Sequence, residues 1–388
     1  MLHLLTNARL YAPEPMGRCH LLIGGGRILF VGNAIPDLDD ALDVAVTDLD
    51  GAPVIPGLID GHAHIVGGGG ETGPASRVPP VGLSQFTSVG VTSVVGVLGT
   101  DDLTRNTQTL VTQAYGLREE GLSAWCHTGG YHYPLTTLTG SARSDIVNID
   151  PIIGVGELAL SDHRSSQPTL DEFLRVASEA HVAGLMTGKA GIVHCHLGDG
   201  TRGLSLIRDA LTQSEIPPRV FNPTHVNRNP VLFEDALALT AEGCVIDLTA
   251  FPEGHADPGY SAAEAFMRYQ KADCASNQLT ISSDGGGCLP HFDRQGNLTR
   301  MGVGTSSTLM DTVHTLVAEG VALENILPSL TSNVADLLKL GNKGRVAKSM
   351  DADLVVLNDK HAVTDVMCNG RWHVRNEQAI VLGTYEAG

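Results

Sequence analysis

The sequence predicts an α/β protein: a (β/α)8 TIM-type barrel carrying a small β domain built from both chain termini. Three observations lead there. Eight short apolar, β-branched runs recur between residues 54 and 284, stretches of helical spacing separate them, and the rhythm breaks at both ends of the chain.

Residues 1–53 contain the alternating run "HLLIGGGRILFVG", and residues 345–388 contain "ADLVVLN" and "AVTDVMCNGRWHV". These read as two halves of one small β-sandwich domain, with residues 54–344 inserted between them as the barrel. Within the insertion the strand-like runs are "VIPGLID", "VTSVVGVLG", "LSAWCHTGG", "IIGVGELAL", "GIVHCHLG", "RVFNPTHV", "CVIDLTA" and "LTISSD". Helical spacing lies between them in "LTRNTQTLVTQAYGLREEG", "TLDEFLRVASEAHVAGLM" and "PVLFEDALALTAEG". The second opens with Thr169 and Glu172 at capping-box spacing, and the first and third close on Gly. Strands that alternate with helices pair in parallel, and eight such units close most simply into a barrel, with an open doubly wound sheet as the fallback.

At 388 residues, 42% hydrophobic and 18% charged, the chain has ordinary globular composition with enough apolar residues for one large core or two smaller ones. Its net charge of −18 opposes nucleic acid and anionic membranes as partners, because the mean field repels phosphate. The start "MLHLLTNARLYAPEP" has no basic segment followed by a long apolar one, and no window approaches a membrane span, so a cytoplasmic protein is expected. Seven cysteines are scattered without a CxxC pair, which predicts reduced, inert thiols rather than a disulfide framework or a thiolate zinc site.

The polar residues at strand ends carry the chemistry. His62 and His64 follow the first run at period-2 spacing and face one side. His196 ends the fifth run, His225 the sixth and Asp284 the eighth, while Glu157 lies inside the apolar fourth. A lone buried carboxylate needs a cation or a metal, and barrel enzymes place their chemistry at this C-terminal mouth. Four imidazoles and two carboxylates suit two divalent ions, with zinc first and manganese, cobalt or iron as alternatives. His20, His181, His314, His361 and His373 lie away from strand mouths and read as surface or core residues, and His194 reads as packing one position deeper.

This order of ligands, framed by a split β domain, resembles the amidohydrolase superfamily. Within it, "GGGGETGP", "GVTSVVGVLGTD", "SDHRS", "PTHVNRN" and "SSDGGG" resemble the metal-dependent isoaspartyl dipeptidase family over almost the whole chain. The resemblance implies hydrolysis of β-aspartyl dipeptides by water activated between two metals, with Asp284 moving the proton and Tyr131 hydrogen-bonding the oxyanion. It also implies that Glu71 holds the substrate ammonium, that Gly69, Thr100 and Cys288 meet the isoaspartyl end, and that Arg164 and Arg228 bind carboxylates. Cys288 stands where the family tends to carry a serine, and a thiol is the weaker donor. A homo-oligomer is implied on the same ground.

The chain departs from the family at strand four, where a carbamylated lysine usually bridges the metals. Counting back from "SDHR" puts Glu157 at that place, and the nearest lysine, Lys189, lies beyond the next helix. Glu157 is expected to bridge directly. The segment is one residue longer than the family pattern, so a bulge at Gly156 would re-aim the side chain. The alternatives are a single metal ion, a structural metal site, another amidohydrolase acting on cyclic amides or N-acyl amino acids, or a non-catalytic barrel scaffold.

Overall fold

The computed structural model describes residues 2–252, 259–292 and 298–386. Six strands form a curled parallel sheet in chain order: β1 (Leu58–Ala63), β2 (Val91–Gly96), β3 (Ser123–Thr128), β4 (Ile152–Leu160), β5 (Val193–Leu197) and β6 (Phe221–Thr224). Two more, β7 (Ile246–Thr249) and β8 (Leu279–Ser282), form a second parallel pair. Every residue of β2 and β4 is buried, as in a sheet covered by helices outside and by side chains within.

The end of β8 returns to the end of β1. Asp284 N donates to His62 O at 3.1 Å, His64 N donates to Gly285 O at 2.7 Å, and Ala63 and Gly285 form a parallel bridge. Side chains join β6 to β7: Thr224 Oγ1 donates to Asp247 Oδ2 at 2.7 Å, and Asn222 Nδ2 to Val245 O at 2.8 Å.

The outer helices start and stop where their sequence signals lie. The helix Leu170–Thr187 carries the Thr169–Glu172 capping box and ends at Gly188, whose φ of 73° is the left-handed conformation that favours glycine. The helix Pro230–Thr240 is capped by Asn229, which accepts from Leu232 N at 2.8 Å. Their inner faces bury Phe173 and Phe233, and Phe173 packs against Phe221 of β6 with ring centroids 5.3 Å apart. Among the described residues, no helix is long and apolar enough to cross a membrane.

Both ends of the chain meet in one nine-stranded sheet, in which Leu354–Leu357 runs antiparallel to Pro53–Pro56, and Pro53–Pro56 runs parallel to Leu2–Tyr11. This divides the run "VIPGLID", which the sequence reads as one strand. Pro53–Pro56 joins the outer sheet and only Leu58 onward enters β1. The break falls at Gly57, where a Cβ would lie 2.1 Å from Thr92 Oγ1.

Lys343 ties the outer sheet to the parallel sheet. Only 5% exposed, its Nζ contacts Asp353 Oδ2 at 2.6 Å, Asp351 Oδ2 at 2.9 Å and Ser123 Oγ, at the start of β3, at 2.7 Å. Burial opposes its charge, but the two aspartates outweigh burial and raise its pKa above the ordinary 10.5. Its stabilising contribution is therefore complete below that value and fades as pH rises through the raised one. Lys343→Met strands a buried carboxylate and should lower the unfolding free energy by about 3 kcal/mol, read as an earlier denaturant midpoint. A shift below about 1 kcal/mol would show that the lysine does not join the two parts.

Candidate metal centre

Three local devices turn the predicted ligands toward one point. The bonds between the ends of β1 and β8 set His62 and His64 beside Asp284. Beneath them the buried Asp60 accepts from Ser283 N at 3.1 Å, from Ser306 Oγ at 2.8 Å and from Ser283 Oγ. In β4 the register slips by one: Val155 pairs with Val193 and Leu158 with Cys195, so three steps face two. That is the bulge expected at Gly156, and it carries Glu157 into the interior. His225 and Asp284 both adopt left-handed backbone, with φ of 61° and 54°, conformations uncommon outside glycine that cluster at functional sites.

The six side chains converge. Glu157 Oε1 lies 3.6 Å from His62 Nε2 and 3.3 Å from His64 Nε2, while its Oε2 lies 2.9 Å from His196 Nδ1 and 3.3 Å from His225 Nε2. Asp284 Oδ1 is 3.5 Å from His62 Nε2 and 3.1 Å from His64 Nε2. Glu157 is fully buried and the Asp284 side chain is 15% exposed, and Glu157 Oε1, Asp284 Oδ1 and His62 Nε2 have no hydrogen-bond partner among the described residues. Two ligand groups result, His62/His64/Asp284 and His62/Glu157/His225. Orphaned buried donors and acceptors of this kind fit divalent cations with N/O ligands.

The electrostatics agree with that fit. Burial would raise Glu157, but the charges of His62 and His196 and hydrogen bonds from His196 and His225 hold it well below the carboxylate range. Asp284 is likewise held low against burial, through His64 and His62. Burial lowers His225 to about 3 and His194 to about 4, so both rings are neutral. His64 goes the other way: burial opposes its charge, but Asp284 and Glu157 raise it to about 10.

Around this cluster lies a rim. Tyr131 Oη is 2.8 Å from His196 Nδ1, and burial keeps the phenol protonated. Arg164 grips Asp162 through Nε to Oδ1 at 3.0 Å and Nη2 to Oδ2 at 2.8 Å, and reaches Glu71 Oε1 at 3.4 Å. Arg228 Nη1 stands 4.0 Å from Asp162 Oδ2. A Cβ on Gly99 would lie 2.9 Å from His64 Cε1, and the next residue, Thr100, has a buried Oγ1 without a partner among the described residues. A Cβ on Gly69 would lie 3.6 Å from the Cβ of Cys288. Burial and the charges of Glu71 and Asp284 push the Cys288 thiol up to about 11. Lys189 is absent from the cluster; its Nζ donates to Ile146 O and Ile149 O at 2.7 and 2.6 Å.

Three residues not predicted as part of the site contact its histidines. Asp162 Oδ2 lies 3.0 Å from His196 Nε2, linking that ring to Arg164, and its only local signal is a carboxylate two positions before an arginine. Thr249 Oγ1 lies 2.6 Å from His225 Nδ1, a contact between strands that no local pattern announces. His194, read as packing, is indeed buried, but its Nε2 is 2.8 Å from His62 Nδ1.

His64 in the metal-free protein retains a proton that stabilises the fold fully below its ordinary 6.5, an effect lost as pH rises through about 10. An ion bound at Nε2 must displace that proton. Divalent-metal titration at neutral pH should therefore release about one proton from this group, measured by calorimetry in two buffers of different ionisation enthalpy. Binding without proton release would contradict the protonated state.

Residues 160–373 match the amidohydrolase family. The chain is similar to the β-aspartyl dipeptidase of Fervidobacterium islandicum AW-1 solved in complex with a β-Asp-Leu dipeptide, at 38% identity and a TM-score of 0.92, covering 98% of this chain and 97% of that one. A second structure of the Fervidobacterium enzyme matches at 36% identity and a TM-score of 0.90, over 98% of both chains. The N-acetylglucosamine-6-phosphate deacetylase of Pasteurella multocida shares the fold at 15% identity and a TM-score of 0.66, over 97% of this chain and 100% of that one. On the family match and on the identity to the Fervidobacterium structures, this chain belongs to the amidohydrolase family.

Proposed function

We propose that the protein is a metal-dependent β-aspartyl dipeptidase, hydrolysing the isopeptide amide to release aspartate and an amino acid. The observation that carries the reading is the convergence of four imidazoles and two carboxylates, in which Glu157 Oε1, Asp284 Oδ1 and His62 Nε2 have no hydrogen-bond partner among the described residues. The similarity to an enzyme solved with β-Asp-Leu narrows the substrate. The eight parallel strands are read as one closed barrel within residues 54–344, its first strand starting at Leu58, inserted in the small domain built from the two ends of the chain, residues 1–53 and 345–388. The His/carboxylate donor set supports zinc, and family resemblance supports a homo-oligomer.

In this reading His62, His64 and Asp284 would hold one ion, His196 and His225 the other, and Glu157 would be shared by both. When bound, the pair of ions supplies Lewis acidity, lowering the pKa of water and polarising the scissile carbonyl. Asp284, kept ionised, accepts the proton of the attacking water and passes it to the leaving nitrogen, so one C–O bond forms as the C–N bond breaks. The Tyr131 hydroxyl, kept protonated, donates to the developing oxyanion. Glu71 meets the α-ammonium, while Arg164 and Arg228 meet carboxylates, with Asp162 holding the Arg164 fork in place. Gly69, Thr100 and Cys288 bound the isoaspartyl end.

The enzyme should cleave β-Asp-Leu and leave α-Asp-Leu and a cyclic imide intact; cleavage of the imide alone would shift the reading to a cyclic amidase. Tyr131→Phe should lower kcat by roughly 10²–10³-fold with little change in KM, as loss of one oxyanion donor does. Metal analysis tests the bridge: wild type should hold two ions and Glu157→Ala fewer, whereas an active Glu157→Ala enzyme with both ions would remove that role.

A further inference from the structure

Below the ligand cluster, side chains from successive strands form a chain that ends on a backbone carbonyl. His62 Nδ1 lies 2.8 Å from His194 Nε2, His194 Nδ1 lies 2.6 Å from Asn222 Oδ1, and Asn222 Nδ2 donates to Val245 O at 2.8 Å. His62, His194 and Asn222 are all buried, so none can exchange a partner for bulk water.

The proton positions follow from the far end. A backbone carbonyl only accepts, so the Asn222 atom facing Val245 is the amide nitrogen and the atom facing His194 is the amide oxygen. That oxygen also only accepts, so His194 carries its proton on Nδ1 and presents a lone pair at Nε2. His62 must then donate from Nδ1, so that the neutral ring, the form that can ligate a metal, has its lone pair at Nε2, facing Glu157 and Asp284. We infer that His194, oriented by Asn222 and ultimately by Val245 O, is a positioning residue that sets the His62 tautomer for metal ligation at Nε2.

The surroundings restrict the middle ring to this pose. His127 stacks on His194 with centroids 5.7 Å apart and planes at 27°. The β4 bulge passes so close that a Cβ on Gly156 would lie 2.8 Å from the His194 Cβ and 3.5 Å from the His127 Cδ2. The bulge that delivers Glu157 thus also packs the ring that orients His62. Groups that fix a ligand's tautomer typically change metal affinity by about 10–100-fold when removed. His62 Nε2 lies 3.6 Å from Glu157 Oε1 and 3.5 Å from Asp284 Oδ1, so its orientation bears on the ion that His62, His64 and Asp284 would hold.

This inference rests on the metal-centre reading, and its test separates the two. In zinc-loaded protein labelled with ¹⁵N at histidine, His194 should appear as the Nδ1–H tautomer, the minor form of free histidine. An Nε2–H tautomer there would overturn the inference. By chelator competition, His194→Leu should weaken zinc about 10–100-fold, and His194→Gln, whose amide oxygen can still accept from His62 Nδ1, should restore most of it. Equal zinc affinity in wild type and His194→Leu would refute the positioning role while leaving the metal centre intact. A wild-type protein that binds no divalent ion would instead overturn the metal-centre reading itself.

Discussion

The rest of the site depends on one ionised carboxylate in an otherwise apolar strand. Glu157 is fully buried in β4, where an unpaired charge would cost several kcal/mol. The structure meets that demand by crowding four imidazoles against its two oxygens, within 2.9–3.6 Å. Because the imidazoles come from β1, β5 and β6, satisfying this charge requires the C-terminal ends of those strands to lie together. A parallel sheet does this by construction, since all its strands end on one face.

Backbone detail then decides which atoms face inward. The extra residue at Gly156 in β4 turns Glu157 toward the cavity, and the hydrogen bonds from Asp284 to His62 and from His64 to Gly285 fix the β1–β8 edge. Asp60 supports that edge from below through two serine hydroxyls and the backbone N–H groups of Ser283 and His62. Each support is itself buried, so the ligand positions are determined by groups that have no competing solvent partner.

At the rim the problem is reversed. The chain carries a net charge of −18, which disfavours an acidic substrate at long range. Arg164 and Arg228 supply local positive charge, and Asp162 engages the first through two hydrogen bonds, orienting its guanidinium while taking up part of its donor capacity. Asp162 also contacts His196, so the anion-binding side and the ligand cluster share one carboxylate.

By itself the sequence determined the strand and helix alternation, the capping box at Thr169, the ligand types at strand ends and the expectation of a bulge beside Glu157. These are local properties, written in periodicity, in Gly placement and in the isolation of a charge within an apolar run. Only the tertiary structure decided that "VIPGLID" divides at Gly57, that Asp162 joins His196 to Arg164, and that His194 is a hydrogen-bonded partner of His62 rather than packing alone. The physical reason is distance along the chain: His62 and His194 are 132 residues apart, and whether a buried imidazole is inert or oriented depends on which atom of another strand lies within hydrogen-bond reach.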